Sequence, residues 1–236
     1  MANFVFDPKP QEKLPVKGRD EVFPLNQIYC VGRNYADHAT EMGHDPVREA
    51  PFFFMKPNYA IISVNLSTIT QISYPSQTAD FQHEVELVVA LGSGGTNLTL
   101  DEAESAIFGY AVGIDLTRRD LQADAKKQSR PWDAGKGFLH SAPCSLIVPK
   151  AHVLDPENME ILLEVNDERR QKGNTKQMIW KVKALISRLS EMFPLHAGDL
   201  IYTGTPAGVG PLVLGDKVCA KIEGLGEFTL SIIRGN

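Results

Sequence analysis

Apolar and polar positions along this chain fall mostly into short runs of period two, which predict strands, and rarely into the 3.6-residue period of a helix. Gln27-Ile28-Tyr29-Cys30-Val31 is a short strand stopped by Gly32, and Phe52-Phe53-Phe54-Met55 is a buried strand ended by Lys56-Pro57. Residues 60–79 alternate loosely between turn residues, in the manner of a β-meander. Residues 80–91 alternate and then run wholly apolar, the pattern of a strand entering a core. Gly92-Ser93-Gly94-Gly95 turns the chain, and a second buried strand over residues 109–114 delivers Asp115 at its end. Strand signals recur at 145–148 and 160–165, Asn166-Asp167-Glu168 suits a hairpin turn, and strands over 199–202, 213–222 and 227–233 close the chain.

Helices are few. Thr99-Leu100-Asp101-Glu102 is a capping box that opens a helix to about Phe108, and Thr117-Arg118-Arg119-Asp120 resembles another, opening a helix through about Gln128. On that second helix Arg119 and Gln122 share a face. Met178, Val182, Leu185, Leu189 and Met192 recur at helical spacing, so the clearest helix spans 175–193 and stops at Pro194. Residues 33–43 form a short helical stretch with Gly43 at its end, on which His38 and Glu41 share a face. Residues 1–24 carry Pro8, Pro10, Pro15, Gly18 and Pro24 among mixed charge and predict an extended arm, leaving residues 25–236 as one domain. The strands do not alternate regularly with helices, which argues against a doubly wound parallel sheet and for a mostly-β, α+β domain.

Composition adds boundaries. With 236 residues, 43% of them hydrophobic and 22% charged, the chain has the length and balance of an ordinary soluble enzyme with a sizeable core. No apolar run is long enough to span a bilayer, and the N-terminal residues lack the basic-then-apolar pattern of a secretion signal, so a cytoplasmic protein with no membrane partner is expected. A net charge of -5 and the lack of any basic block interleaved with aromatics argue against nucleic acid as a partner. Cys30, Cys144 and Cys219 are odd in number and far apart, which speaks against a disulfide framework or a zinc site.

Candidate chemistry centres on Glu84 and Glu86. Two residues apart on a strand, they point the same way, and a chain that keeps two carboxylates near its core offsets their repulsion with a cation. Mg²⁺ or Mn²⁺, with Ca²⁺ the third candidate, suits such oxygen donors. Read alone, the pair fits the solvent face of an edge strand equally well, and Asp115 fits an ordinary strand-end or capping role. Lys136, between Gly135 and Gly137, reads alone as a loop lysine. The glycine-rich loop over 203–210 lacks the Gly-Lys-Ser or Gly-Lys-Thr ending of a nucleotide-phosphate cradle.

Taken together, five blocks resemble the fumarylacetoacetate hydrolase family in the family's order: Val31-Gly32-Arg33-Asn34-Tyr35-Ala36-Asp37-His38, His83-Glu84-Val85-Glu86-Leu87, Gly113-Ile114-Asp115-Leu116-Thr117-Arg118-Arg119-Asp120, Gly135-Lys136-Gly137-Phe138, and Tyr202-Thr203-Gly204-Thr205-Pro206-Ala207-Gly208-Val209-Gly210. The resemblance covers about residues 25–233. It implies a mixed β-roll with a few peripheral helices, a Mg²⁺ or Mn²⁺ centre, and a homodimer. Cys30-Val31-Gly32-Arg33-Asn34-Tyr35, Phe52-Phe53-Phe54 and Arg119-Asp120-Leu121-Gln122-Ala123 are most similar to the family's bacterial fumarylpyruvate hydrolases of gentisate breakdown.

On the family's pattern Glu84, Glu86 and Asp115 are the metal ligands, and a 2,4-dioxo acid chelates the ion. His38, oriented by Glu41, takes a proton from the attacking water, and Lys136 stabilises the oxyanion. Arg119 and Gln122 hold substrate oxygens, Gly204 and Thr205 bind the substrate carboxylate through a backbone N–H and the threonine hydroxyl, and Arg33 is the candidate for a distal carboxylate. The resemblance thus implies hydrolysis of an acylpyruvate, 3-fumarylpyruvate foremost. The rival within the fold is an oxaloacetate decarboxylase or a hydroxymuconate-type isomerase or decarboxylase, and the rival from another class is a non-catalytic metal-binding module.

Overall fold

In the computed structural model, which describes residues 4–36 and 50–235, the apolar run after Glu84 becomes the strand Val85–Leu91, buried at every position. It pairs antiparallel with Ile107–Ile114 on one side and with Leu200–Tyr202 on the other. The sheet continues through Ile28–Gly32 to Phe52–Lys56 at one edge, and through Ala142–Cys144 to Ile61–Ser63 at the other. Alternation sorts the side chains of the central strand between two cores: Leu87, Val89 and Leu91 join the larger, Val88 and Ala90 the smaller. Apolar residues on both faces are what a sheet covered on both sides requires.

One cover is a five-stranded sheet in the order Glu168–Asn174, Glu160–Val165, Lys217–Ile222, Gly226–Ile233 and Thr70–Ser73. Its Leu163, Ala220 and Leu230 enter the larger core beside Leu185 and Leu189 of the helix Val182–Met192. The other cover is the hairpin of Lys13–Pro15 and Val22–Pro24, whose Leu14 and Phe23 enter the smaller core. The arm expected over residues 1–24 is therefore packed from residue 13 onward. Backbone bonds from Ile147 to Pro15 and from Lys17 to Ile147 dock it on the sheet. Burial of Leu14, Val16, Phe23 and Leu25 outweighs the prolines that suggested an extended arm.

Other elements differ from expectation in instructive ways. Ile61–Ser63 and Thr70–Ser73 join different sheets, each by parallel pairing, so they form no meander. Phe52–Lys56 is an edge strand with half-buried phenylalanines, and the residue it buries completely is Lys56. The strand signal at 145–148 resolves into Ala142–Cys144 and Val148–Pro149. The capping box forms as expected, with Thr99 N–H donating to Glu102 at 2.9 Å, but its helix is Leu100–Ala106 and the next strand begins at once. Asn166 and Asp167 take φ of 53° and 66°, the left-handed pair that a tight hairpin turn demands.

The helix expected over 175–193 is shorter, because residues 175–177 make a single 3-10 turn and the α-helix is Val182–Met192. Asn34, fully buried, is the cause. Its side-chain amide donates to Trp180 O at 3.0 Å and Thr203 O at 2.8 Å and accepts from Trp180 N at 2.8 Å. Its backbone carbonyl accepts from Ile179 N at 2.8 Å. These bonds hold residues 179–180 out of helical conformation although the Met178 stripe predicts it. Among the described residues no helix is long and apolar enough to cross a membrane.

Replacing Asn34 by Ala strands buried backbone groups on two segments, and we expect a loss of about 3 kcal/mol. Urea unfolding checks this: the midpoint falls, and an unchanged midpoint would show that the amide is dispensable.

Candidate metal centre

The ladder between Val85–Leu91 and Ile107–Ile114 carries acidic residues from both of its strands at one end. Val85 lies opposite Ile114, and one step further Asp115 N–H donates to Glu84 O at 2.8 Å, which fixes the two acidic residues side by side. Glu86 lies opposite Gly113. A side chain cannot be accommodated there, since a Cβ on Gly113 would lie 2.5 Å from Val88 Cγ2 and 2.6 Å from the Tyr202 ring. The strand breaks at Glu84, with Phe81–His83 leaving for a small sheet with Thr117–Arg118 and Gly210–Pro211. One oxygen each from Glu84, Glu86 and Asp115 nevertheless lies within 4.8 Å of the others, and all three residues are buried.

Three cations surround this trio. Lys136 Nζ donates to Glu84 Oε2 at 2.7 Å, Asp115 Oδ2 at 2.6 Å and Thr117 Oγ1 at 2.7 Å, so its three protons are all engaged. Burial alone would pull its ammonium down, but Asp115 and Glu84 hold it above its ordinary value. Lys56 Nζ lies 2.8 Å from Asp115 Oδ1 and donates to Ser141 Oγ, Leu116 O and Lys136 O. Arg119 reaches Glu84 Oε1 at 2.5 Å, Gln82 Oε1 at 2.8 Å and Gln122 Oε1 at 2.6 Å.

Glu86 is treated differently. Its one donor among the described residues is Gly204 N–H, 2.8 Å from Oε2. Burial first, then Asp115 and Glu84, push its carboxyl well above the usual carboxylate range. Asp115 Oδ1, though close to Lys56, has no hydrogen bond of acceptable geometry. A hard divalent cation suits these features, since the donors are all oxygens, all three residues are buried, and Glu86 has a single hydrogen-bond donor among the described residues.

The other expected residues are placed as follows. Arg119 and Gln122 do share a face, on the helix Arg119–Lys127, but Thr117 is no cap: its hydroxyl receives Lys136 and donates to Asp115 O. Lys136 closes the four-residue helix Asp133–Lys136 rather than a flexible loop. Gly135 is there for close approach, since a Cβ would come within 3.0 Å of Gln122. The Thr205 hydroxyl, expected to hold a substrate carboxylate, is engaged in the fold, donating to Val85 O at 2.8 Å and accepting from Gln171 Nε2 at 2.7 Å. Gly204, at φ 94°, presses against Asn34 and presents its N–H to Glu86. Arg33 has φ 58° and its guanidinium lies 5.3 Å from the Phe52 ring centre. His38 and Glu41 lie outside the described residues.

Glu84, Glu86, Arg119, Gln122, Lys136, Arg33 and Thr205 all line one cavity. Sequence reasoning missed three kinds of residue here. Phe52, Phe54 and Trp132 also wall this cavity, with Trp132 edge-on to Phe52 at 5.2 Å. Lys126 lines it too. Lys56 lies behind it, and strand alternation alone places it on the face of Phe52 and Phe54.

With the site described, its relatives can be placed. The family profile described as fumarylacetoacetate (FAA) hydrolase C-terminal matches residues 27–233. The chain belongs to the fumarylacetoacetate hydrolase family. A mitochondrial oxaloacetate tautomerase of Arabidopsis thaliana is 45% identical over 208 residues, 88% of this chain and 91% of its own. Fumarylpyruvate hydrolase of a Ralstonia species is 41% identical over 184 residues, 78% of this chain and 93% of its own. The crystal structure of fumarylpyruvate hydrolase from Pseudomonas aeruginosa in complex with Mn²⁺ and pyruvate matches with a TM-score of 0.97 at 45% identity, covering 99% of this chain and 100% of that one. The fold of this family member is therefore the expected mixed β-roll.

Glu86→Gln removes a ligand charge from the trio, and Mn²⁺ affinity measured by titration calorimetry should fall about a hundredfold or more, roughly 2.8 kcal/mol. Equal affinity would remove Glu86 from the ligand set. Lys56→Met leaves Asp115 without its inner cation and several acceptors without a donor. Metal-free protein carrying it should lose about 3–5 kcal/mol, seen as a lowered thermal midpoint; an unshifted midpoint would mean that Lys56 is not needed to hold the carboxylates.

Proposed function

We propose that this family member is a divalent-metal-dependent hydrolase that cleaves a C–C bond in a 2,4-dioxo acid, 3-fumarylpyruvate foremost, to give fumarate and pyruvate. One observation carries this reading: a trio of buried carboxylates opens into a cavity whose walls are cations and flat aromatic rings. Such a cavity suits a planar, conjugated, doubly negative molecule with adjacent oxygens for a metal. Mg²⁺ or Mn²⁺ on Glu84, Glu86 and Asp115 supplies Lewis acidity toward the substrate's carboxylate and 2-oxo oxygens.

The protein's own groups do the rest. Arg119 donates to Gln122 Oε1, which leaves the Gln122 amide nitrogen as the donor for a substrate oxygen. Since the Thr205 hydroxyl is engaged, its backbone N–H is the group left for the substrate carboxylate. Lys136, fixed beside Glu84 and Asp115, would turn its ammonium to the developing oxyanion. His38, oriented by Glu41, accepts a proton from water as the oxygen attacks the C4 carbonyl. The C3–C4 bond then breaks, its electron pair leaves with the pyruvate enolate, and a proton completes pyruvate.

A second reading has support in the 45% identity to an oxaloacetate tautomerase. Enolisation or decarboxylation of oxaloacetate uses the same ion and the same enolate, and needs no attacking water. The two readings separate at His38. Mn²⁺-loaded protein should bleach the enol absorbance of fumarylpyruvate and stop when EDTA is added. His38→Ala should lower that rate at least about a hundredfold, the range of a positioned general base. Full-rate cleavage by the variant would rule out the hydrolytic mechanism, and turnover of oxaloacetate alone would favour the second reading.

A further inference from the structure

We infer that Lys126 receives the distal carboxylate of the substrate and so selects long, doubly negative dioxo acids. This rests on the cavity being a dioxo-acid site, and it goes beyond that reading by assigning the far end of the ligand.

The helix Arg119–Lys127 presents Arg119, Gln122 and Lys126 at i, i+3 and i+7, one face of an α-helix, and all three line the cavity. Their roles diverge along the helix. Arg119 is held by Glu84 at the carboxylate trio, 2.5 Å away. Seven residues on, the Lys126 backbone sits about 10 Å further along the axis, and its long side chain reaches the same cavity. Its Nζ lies 4.9 Å from the Trp132 ring centre, and among the described residues it makes no ion pair or hydrogen bond. Lys136 and Arg119, by contrast, are both paired with carboxylates.

The electrostatics point the same way. Burial first, then Arg119, Arg33 and Lys136, lower the Lys126 ammonium to about 8, with Glu84 opposing weakly. A half-buried cation crowded by like charges is stabilised when an anion arrives. The spacing says which anion. In fumarylpyruvate the far carboxyl carbon lies five bonds beyond the 2-oxo carbon, on a rigid, flat chain that Trp132 and Phe52 can flank. In oxaloacetate it lies two bonds away, at the carboxylate trio's end of the helix. Acetylpyruvate has no second carboxylate.

The test compares Lys126→Met, which keeps the aliphatic stem over Trp132, with Lys126→Arg and with Lys127→Met, an exposed neighbour outside the cavity. In the Mn²⁺-loaded enzyme, the ratio of kcat/KM for fumarylpyruvate over acetylpyruvate should fall at least fivefold in Lys126→Met. It should be largely kept in Lys126→Arg and unchanged in Lys127→Met. A smaller fall in Lys126→Met, or an equal fall in Lys127→Met, overturns the assignment. A second readout needs no turnover: wild type should bind fumarate more tightly than crotonate in calorimetry, and Lys126→Met should erase that preference. If wild type fails to cleave fumarylpyruvate yet the fumarate preference is lost in the variant, the reaction is wrong and the carboxylate site stands. If wild type shows no such preference, the site itself is refuted.

Discussion

Three carboxylates packed within 4.8 Å of one another and shut away from water are the constraint on which the rest of this structure depends. At an effective dielectric near 20 each pair repels by roughly 3–4 kcal/mol before compensation, comparable to a large share of a domain's net stability. The fold answers by drawing cations from three separate elements. Lys56 comes from the end of an edge strand, Lys136 from a four-residue helix and Arg119 from the start of the helix beside it. The two helices lie outside the central sheet and their cations tie them to the carboxylates, whereas the strand that bears Lys56 is already paired into the sheet. Lys56 links two of them directly, since its ammonium donates to the backbone carbonyl of Lys136 as well as lying beside Asp115.

How much of this was legible in the sequence depended on how local the cause was. Strand alternation made the pairing of Glu84 with Glu86 readable and the apolar run delivered Asp115, but each also fitted an ordinary role alone, and the family resemblance is what joined them as a ligand set. The capping box at Thr99 and the turn at Asn166 were readable because their causes lie within four residues. Lys56 was readable in principle, being two residues beyond Phe54 on one face of a strand, but a lysine after an apolar run looks like a terminator until its partner is known. The helix over 175–181 failed because Asn34, some 145 positions earlier, captures Trp180 and Ile179. No periodicity within the segment carries that information. The hairpin at residues 13–24 was hidden by prolines that sit at strand positions where pairing still succeeds.

Gln171 shows how the outer sheet enters the site without touching it. It is fully buried on a strand that is otherwise mostly charged, and its amide makes four bonds: from His83 Nδ1 and Val85 N–H to its oxygen, and from its nitrogen to Thr205 Oγ1 and Pro206 O. One side chain therefore clamps the chain on either side of Glu84 to the loop that supplies Gly204 and Thr205. A buried amide with all four positions satisfied is rigid, because moving either segment leaves a polar group unpaired in a dry interior. The cost to the site is that the Thr205 hydroxyl becomes part of the scaffold.

Compensation of the trio is also uneven, and the unevenness is informative. Glu84 and Asp115 are each held by ammonium or guanidinium groups, whereas Glu86 has a single peptide N–H among the described residues. A site built only to stay folded would distribute its cations more evenly or replace the acids with apolar residues, which is often neutral or better for stability. Concentrating the positive charge on two acids keeps the scaffold together, and leaves Glu86 as the carboxylate to which no cation is bonded among the described residues. Further out, Lys126 adds positive charge to the cavity wall. Negative charge therefore gathers at the carboxylates while Lys126 brings positive charge to the wall, an arrangement that suits a cation at the one and an anion at the other.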